Sequence, residues 1–560
     1  SVAEAEWVLA IGGIEVRTLG SLTLDQVTAG AEQIHITQRP GETVEYVMTL
    51  NGDVTTTGGN ISIFSTGDLV LNAGITVNSS TGTAGLLTDT DADNLGTLIL
   101  NDNSTVTSAN TTATAISLLV QDLVISTTGG NEATISATGV GGGIRVRTND
   151  GTGSIELGGT GAGADVSISD AEFDRFTDFD SFELGQDSGF QSANIFITTV
   201  DHAAVNTATI KLNTTGTVSL DDAGTATALA AGSGAITISA NAGIVAAQAT
   251  GSQAEISTTG TVTLTSADEI GSTTNRIQFV TGQDDVNVTN APNGVFFDGL
   301  GALTLGTITT GGGSLNVSTV STLALNGVVT LGAGNLTLNA GGAVTQSAAF
   351  TATGLELLGT GPYTLTDSGN DVTTIAANAN VISFRDTADL TVGTVNTMGI
   401  TTSGDNVTLQ TGTTLSIDDD IILVAGSLTL NAGGAVTQVA GDTITAAGLD
   451  LLGTGPYTLT EAGNDVNIIA VNTGDTVSFR DTDDLTVGTV TTVGITTSND
   501  NVSLQSGTTL TLNDDISIGA GNLTLNAGGA VTQTALDTIT AAGLELLGTG
   551  PYTLTEKSIA

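Results

Sequence analysis

The chain has 560 residues, with 57 acidic against 10 basic side chains, a formal net charge of −47, and no cysteine. This charge argues against nucleic acid and against an anionic membrane surface as partners, because both attract positive charge. Without cysteine there can be no disulfide, thiolate metal site or catalytic thiol. With 39% hydrophobic and 12% charged residues, the chain should fold, and its abundant β-branched residues favour strands over amphipathic helices.

The N-terminal half consists of short apolar–polar runs separated by Gly, Asn and Asp. The first residues, SVAEAEW, contain no basic segment and no initiator Met, so we expect a processed form or a fragment rather than a signal peptide. The sequence contains no run of about eighteen apolar residues, so no transmembrane helix is predicted. Residues 1–280 are therefore interpreted as divergent coils of short strands, and residues 281–335 as a degenerate repeat unit.

An internal repeat dominates the C-terminal half. LTLNAGGAVTQ occurs at 336–346, 428–438 and 523–533, which defines repeat unit 1 (336–427), repeat unit 2 (428–522) and a partial unit 3 (523–560). Each unit contains runs such as LTL and VSL, which place aliphatic residues on one face and Thr or Ser on the other. Gly-Gly, Asn-Ala-Gly and Asp-Asp break these runs after three to five residues, as turn residues do.

Two folds fit a repeat of this length. A string of immunoglobulin-like sandwiches would have domains of about 95 residues, but sandwich strands are usually longer and have aromatic anchors. The only Trp, Trp7, lies outside the repeats, and no linker separates the units. We therefore predict an all-β parallel β-helix (β-solenoid) that forms one continuous elongated rod. Three short strands make one coil, and a unit makes about four coils of roughly 24 residues.

Aromatic and amide residues recur at fixed places in the repeat. Phe297, Phe384 and Phe479 are expected to fill the interior of the coils. The asparagines of the repeated LTLNAGG segment are expected at corners, where an amide can bond to the backbone of a turn.

Clusters of aspartates are the candidate metal sites. Neighbouring carboxylates repel one another, and Ca²⁺ would relieve that repulsion, so we predict weak calcium binding there. The alternative is a solvated acidic surface that maintains solubility. The sequence DTDAD resembles the start of an EF-hand loop but has Asn94 at position six and Leu100 at position twelve, where Gly and Glu are required. The candidates are Asp418, Asp419, Asp420, Asp514, Asp515, Asp89, Asp91 and Asp93.

An enzyme is the less favoured interpretation, although parallel β-helices include polysaccharide lyases and hydrolases. Such a site needs one unique cluster of carboxylates. Arg385–Asp386 and Arg480–Asp481 occur in duplicate, which favours a structural ion pair in a turn. His35 and His202 have no evident catalytic partner, so no catalytic residue or organic cofactor is predicted.

Several motifs resemble the coils of large bacterial exoproteins. DAEFDRF (170–176), ADEIGSTTNRIQF (267–279) and the succession GLELLGTGPYTLT, DLTVGTV, GITTS are similar to those of filamentous-haemagglutinin-like proteins. This resemblance implies a right-handed parallel β-helix, secreted or associated with the outer membrane, that serves as an adhesin or stalk and meets a host or neighbouring cell. A self-assembling filament or surface layer, built by end-to-end or side-by-side contacts, is the alternative.

Overall fold

The computed structural model describes residues 6–10, 13–38, 46–90, 95–148, 152–159, 164–185, 193–201, 207–224, 226–251, 253–554 and 558–559. It divides into two compact units, residues 1–300 and 301–560. Both units consist of short strands that pair in parallel with strands of neighbouring coils. The predicted parallel β-helix is therefore confirmed, and the sandwich string is wrong.

Among its described residues, unit 1 contains one helical turn, α1 (Asp170–Phe173), which begins with a capping box between Ser169 and Glu172. Its strands β1 to β33 are, in chain order, Glu6–Ala10, Gly13–Thr18, Leu22–Leu24, Val27–Ala29, Gln33–Gln38, Met48–Leu50, Val54–Thr56, Ile61–Phe64, Leu69–Leu71, Thr76–Asn78, Ala84–Leu87, Thr97–Leu100, Thr105–Ser108, Ile116–Leu119, Asp122–Ile125, Thr134–Ala137, Gly143–Arg147, Ile155–Leu157, Val166–Ile168, Phe176–Thr177, Ser181–Gly185, Ile195–Thr198, Val200–Asp201, Thr209–Thr214, Val218–Asp221, Leu229–Ala230, Ile236–Ala240, Ile244–Ala246, Ile256–Ser257, Val262–Ser266, Ile277–Phe279, Gln283–Asn290 and Val295–Gly299.

Unit 2 contains strands only among its described residues. Strands β34 to β65 are, in chain order, Leu303–Thr309, Leu315–Thr319, Leu323–Leu325, Val329–Thr330, Leu336–Ala340, Val344–Gln346, Phe350–Leu358, Tyr363–Leu365, Asp371–Asn378, Ile382–Arg385, Leu390–Val392, Ile400–Thr401, Val407–Thr411, Leu415–Ile417, Ile421–Ile422, Ser427–Ala432, Val436–Gln438, Ile444–Gly453, Tyr457–Leu459, Asp465–Thr473, Val477–Arg480, Leu485–Val487, Ile495–Thr497, Val502–Ser506, Leu510–Leu512, Ile516–Ser517, Asn522–Ala527, Val531–Gln533, Ile539–Ala541, Gly543–Gly548, Tyr552–Thr553 and Ser558–Ile559.

In the first coils of unit 1 the chain returns to the same side of the coil after every third strand. In unit 1, β5, β8, β11, β14 and β17 form one ladder, β3, β6, β9, β12 and β15 a second, and β4, β7, β10, β13 and β16 a third. Alternate residues point inward, and the inward residues stack on those of the next coil. One such column is at most 1% exposed and consists of Ile34, Ile61, Ala84, Ile116, Ile144, Phe182, Ile210, Ile236, Val262 and Val286. The prediction of three strands per coil is confirmed.

The repeat in unit 2 does not stack on its own copies. Leu428 of the second copy stands in a column with Val407, Ile382, Tyr363 and Val344. Leu336, its equivalent in the first copy, stands in another column, next to Leu315 and Leu355. The third copy moves again, since its Leu523 stands in the column of Val502, Val477, Tyr457 and Val436.

Each repeat therefore advances by thirteen strand positions, or four and one-third coils, where the sequence predicts about four. Each repeat has eleven strands, two of which pair with two strands each. In repeat unit 1 these are Phe350–Leu358, which pairs with β37 and β38, and Asp371–Asn378, which pairs with β44 and β45. Their counterparts in repeat unit 2 are Ile444–Gly453 and Asp465–Thr473. Each of these strands covers two sides of a coil without a turn between them, which the sequence periodicity alone does not reveal.

The interior is apolar, with buried amides at the corners. Phe297, Phe384 and Phe479 are at most 2% exposed, so their predicted role as interior filler is confirmed. Asn464, also fully buried, accepts from the backbone N–H of Ile444 at 2.9 Å and donates to the carbonyl of Arg480 at 3.2 Å. Its amide also bonds to Gln438 in both directions, at 2.7 and 3.1 Å. Such a fully paired amide fixes the corner where the chain turns into the next coil.

We predict that Asn464→Ala lowers the free energy of unfolding by about 3 kcal/mol, because it leaves buried backbone groups without partners. Urea denaturation followed by circular dichroism measures the change. Asn472→Ala is the matched control: Asn472 is exposed in the same repeat, so its loss should cost less than about 0.5 kcal/mol. Equal effects of the two substitutions would contradict the assigned role of the buried amide.

Candidate functional site

The aspartates of unit 2 that were predicted to bind calcium accept hydrogen bonds from threonines and serines. Asp419 accepts from the Thr394 hydroxyl at 2.7 Å, and Asp514 accepts from the Thr489 hydroxyl at 2.8 Å. Asp418, Asp420 and Asp515 accept likewise from Ser416, Thr443 and Thr538. The acidic turns thus bond to neighbouring turns and coils.

A further carboxylate, Asp442, lies close enough to the Asp418–Asp420 turn to be affected by its charge. Burial raises the pKa of Asp442 above its usual value, and Asp419, Asp420, Asp418 and Glu461 raise it further. No grouping of three or more His, Cys, Asp or Glu side chains with a geometry suited to a metal ion occurs among the described residues. Asp442 could not be selected from the sequence, because it lies in the coil that follows the Asp418–Asp420 turn and not next to that turn in the chain.

The EF-hand-like segment of unit 1 is only partly described. Asp89 is fully buried and has a positive φ of 56°. Asp91 and Asp93 lie outside the described residues.

The Arg-Asp pairs do not form the ion pairs that we expected. The ion pairs of the described residues join Arg17 to Glu15, Arg145 to Glu183, and Arg175 to Glu132. Asp481 instead turns inward and accepts the backbone N–H groups of Val466 and Asp483 at 2.8 and 3.0 Å. Burial raises its pKa to about 7, and Asp386 makes the equivalent bonds in the first repeat.

One of the two histidines lies in the described part of the chain. His35 packs against Phe64, with ring centroids 5.0 Å apart, and His202 lies outside the described residues.

Glu255 is a buried carboxylate that the sequence reasoning did not select. It is 1% exposed and accepts the backbone N–H of Gln278 at 2.6 Å. Burial raises its pKa to about 8, with smaller contributions from the charges of Asp222 and Asp298. The side-chain amide of Gln278 also donates to Asp298 at 2.9 Å. Gln278 therefore lies between two carboxylates within a packed corner.

A pair of anchored turns is the feature that sets the repeats apart from a plain coil. In repeat unit 1 the turn comprises residues 393–399, where Thr394 and Met398 form an antiparallel bridge. Glu356, 2% exposed, accepts from the Asn396 side-chain amide at 2.6 Å and from the backbone N–H of Thr397 at 2.9 Å. The carboxylate thus holds a turn that follows it by about forty residues.

Repeat unit 2 has the same arrangement with an aspartate. The turn comprises residues 488–494, and Asp450, fully buried, accepts the backbone N–H groups of Thr491 and Thr492 at 3.2 and 3.1 Å. Both threonine hydroxyls also donate to this carboxylate. Negative charge buried in this way is matched by four donors, which is how an anion can be held without a basic residue.

A glycine beside each carboxylate leaves space for the turn's valine. A Cβ atom on Gly354 would lie 3.0 Å from the side chain of Val395, and one on Gly448 would lie 3.0 Å from that of Val490. The valine is thus seated against the glycine while the next two residues bond to the carboxylate. These two contacts hold the turn against the coil, while Met398 and Val493, the bridge residues that close each turn, are 74% and 63% exposed.

Comparison of the chain with protein-family models, with curated proteins and with solved structures finds no match. None of the helical residues in the described part of the chain forms a segment long and apolar enough to cross a membrane.

We predict that Asp450→Ala releases the turn at 488–494. Without the carboxylate, the amide hydrogens of Thr491 and Thr492 should exchange at least about tenfold faster, because they lose their acceptor. Hydrogen–deuterium exchange with peptide-level mass spectrometry measures this rate. Asp450→Glu should retain protection, since repeat unit 1 has a glutamate here, and Asp475→Ala controls for the loss of one charge. Unchanged exchange in Asp450→Ala would refute the anchoring.

The calcium prediction concerns the acidic turn at Asp418–Asp420 together with Asp442. If Ca²⁺ binds there, adding about 5 mM Ca²⁺ should raise the melting temperature by a few degrees, since a ligand that binds only the folded state stabilises it. Differential scanning calorimetry with calcium and with chelator measures the shift, and Asp419→Asn together with Asp442→Asn should abolish it. Identical curves with calcium and chelator would remove the prediction.

Proposed function

We propose that this protein is a structural component of a bacterial cell surface or a secreted adhesin, in which stacked coils act as a rigid scaffold. The single observation that carries this proposal is that the coil surface repeats regularly and carries anchored turns with exposed apolar side chains. The role is non-catalytic and needs no organic cofactor; bound calcium would add stability to the acidic turns.

The coil surface is built from hydroxyl ladders. Outward residues of successive coils lie in register, so their hydroxyl groups recur at about 4.8 Å, the spacing of paired strands. One such ladder runs through Thr345, Thr364, Ser383, Thr408 and Thr429. Hydroxyls of this kind hydrate well and leave the backbone bonds of the coils intact, as a surface-exposed scaffold requires.

The turns supply contact points on that scaffold. Because the repeats advance by one side of the coil, the turns at 393–399 and 488–494 emerge from different sides of unit 2. Met398 and Val493 are exposed apolar side chains on these turns, and their apolar area would be removed from water on contact with a partner. A host or neighbouring-cell surface is the partner that an adhesin of this type would meet.

Antibodies raised against the protein test its location. We expect them to label intact cells of the producing bacterium, or filaments shed from them, and expect proteinase treatment of intact cells to remove the label. Deletion of the gene should reduce adherence to host or neighbouring cells. Labelling that requires prior cell lysis would contradict the proposal.

Self-assembly into a filament or surface layer is the second candidate. It is favoured by the regular spacing of the outward residues, for example Thr345, Thr364, Ser383, Thr408 and Thr429. Two coil surfaces with the same spacing can align in register side by side. Analytical ultracentrifugation over a dilution series distinguishes the candidates, since a concentration-independent monomer, with and without calcium, excludes assembly.

A further inference from the structure

Phe196 is an aromatic side chain on the outer surface of unit 1. Among the aromatic side chains that the structure describes it is the most exposed, at 38%, whereas rings such as Phe182 and Phe297 lie in the interior. Phe196 points outward from β22, between the inward residues Ile195 and Ile197. An exposed ring of this kind can stack against a group of another molecule.

Two carboxylates lie close to this ring. Strand pairing places Glu156 of β18 beside Phe196 on one side and Ser219 of β25 on the other. Neighbouring strands lie about 4.8 Å apart, and Asp221 is the next outward residue of β25 after Ser219. A groove of about 330 Å³ is lined by these four residues together with Thr198. The groove thus combines one aromatic ring with two acidic side chains.

Asp221 has an oxygen that can accept from a ligand. Its Oδ1 accepts from the backbone N–H of Ala223 at 2.9 Å and from the side-chain amide of Gln248 at 3.1 Å. These two bonds fix the position of the carboxylate. No residue in the described part of the chain donates to its Oδ2, so this oxygen is available to a donor that enters the groove.

We infer that the groove at Phe196 and Asp221 binds an arginine side chain of a partner protein. A guanidinium group stacks on an aromatic ring and donates N–H groups to a carboxylate, so it uses both features of the groove at once. Ligand sites commonly measure about 300–1,000 Å³, and a groove at the lower end of this range suits a single side chain. The net charge of −47 attracts a basic partner and repels a second copy of this chain. The inference deepens the proposed function, on which it rests, because it gives the chemistry of the partner.

Disulfide capture tests this inference in the full chain, which has no cysteine of its own. Ala247→Cys places a thiol at the groove, since Ala247 is an exposed lining residue. Ala440→Cys is the matched control: Ala440 is also exposed, and the N–H of the next residue, Gly441, binds Glu461, so this position reports the general acidity of the chain. The probe is the peptide Ac-Cys-Gly-Arg-amide, and its neutral counterpart contains citrulline in place of arginine. Both peptides compete for each variant under mild reductant, and intact-protein mass spectrometry measures the ratio of the two mixed disulfides.

We expect the ratio of arginine to citrulline capture at Ala247→Cys to exceed the ratio at Ala440→Cys about fivefold, because the guanidinium gains a cation–π contact and a hydrogen bond to a carboxylate. Phe196→Leu and Asp221→Asn, each added to the Ala247→Cys chain, should lower the ratio at least about twofold, since each removes one of these contacts. The two together should lower it to that of Ala440→Cys. Asp25→Asn, which removes an exposed charge elsewhere in unit 1, should leave the ratio unchanged.

Equal ratios at the two cysteine positions would overturn the inference, because the preference would then reflect only the net charge of the chain. A ratio that persists when Phe196→Leu and Asp221→Asn are combined would overturn it as well. Thiocholine is a third probe: if its capture, normalised to Ala440→Cys, exceeds that of the arginine peptide, the occupant is a small ammonium ion and not an arginine side chain. Circular dichroism checks that each variant is folded. Capture is measured on the isolated chain, so its failure is distinct from a failure of the proposed function, which the antibody labelling of cells tests.

Discussion

Register between successive coils is the constraint on which the whole structure depends. Every inward residue stacks on an inward residue of the next coil, and a slip of one residue would turn the apolar column of a strand toward solvent. The hydrogen bonds between coils and the stacking of apolar side chains therefore require the same register. In this arrangement each coil needs only its neighbours, so a block of coils can be copied without redesigning a central core. The verbatim repetition of LTLNAGGAVTQ is compatible with the fold for this reason.

The acidic composition imposes a second constraint, because the chain has 57 acidic and only 10 basic side chains. Many of the carboxylates accept hydrogen bonds from uncharged donors instead. Asp484 is an example: the hydroxyls of Thr508 and Thr509 and the Thr509 backbone N–H lower its pKa to about 2. Asp481 is the opposite case, since burial dominates and raises its pKa. Threonine thus serves both as an outward strand residue and as the usual partner of a carboxylate, which explains how so acidic a chain can stack closely.

The sequence predicts the fold well and the site poorly, for physical reasons. Period-two runs broken by turn residues indicate short strands, and the repeated block indicates stacking, so the parallel β-helix and its aromatic filler follow from the sequence. The anchored turns, in contrast, cannot be predicted from these sequence patterns. Glu356 and Asp450 lie about forty residues before the groups that they hold, and each appears in the sequence as an ordinary outward residue of a strand. The one available signal is the outward glycine two residues earlier, which is unusual in a strand and recurs at Gly354, Gly448 and Gly543.

The rotation of the repeat has a consequence for how the turns are displayed. If the repeat advanced by a whole number of coils, equivalent turns would lie in one row on one side, and a flat partner could contact several at once. An advance of four and one-third coils instead moves each turn to the next side, so neighbouring turns cannot engage the same flat surface together. Avidity from adjacent repeats of one chain is then lost, because simultaneous engagement requires a matching geometry. The long strands set this advance: residues 350–358 and 371–378 in repeat unit 1, and residues 444–453 and 465–473 in repeat unit 2, each cover two sides of a coil. The spacing of the long strands, rather than the chemistry of the turns, therefore determines how many partners a given length of coil can hold on one side.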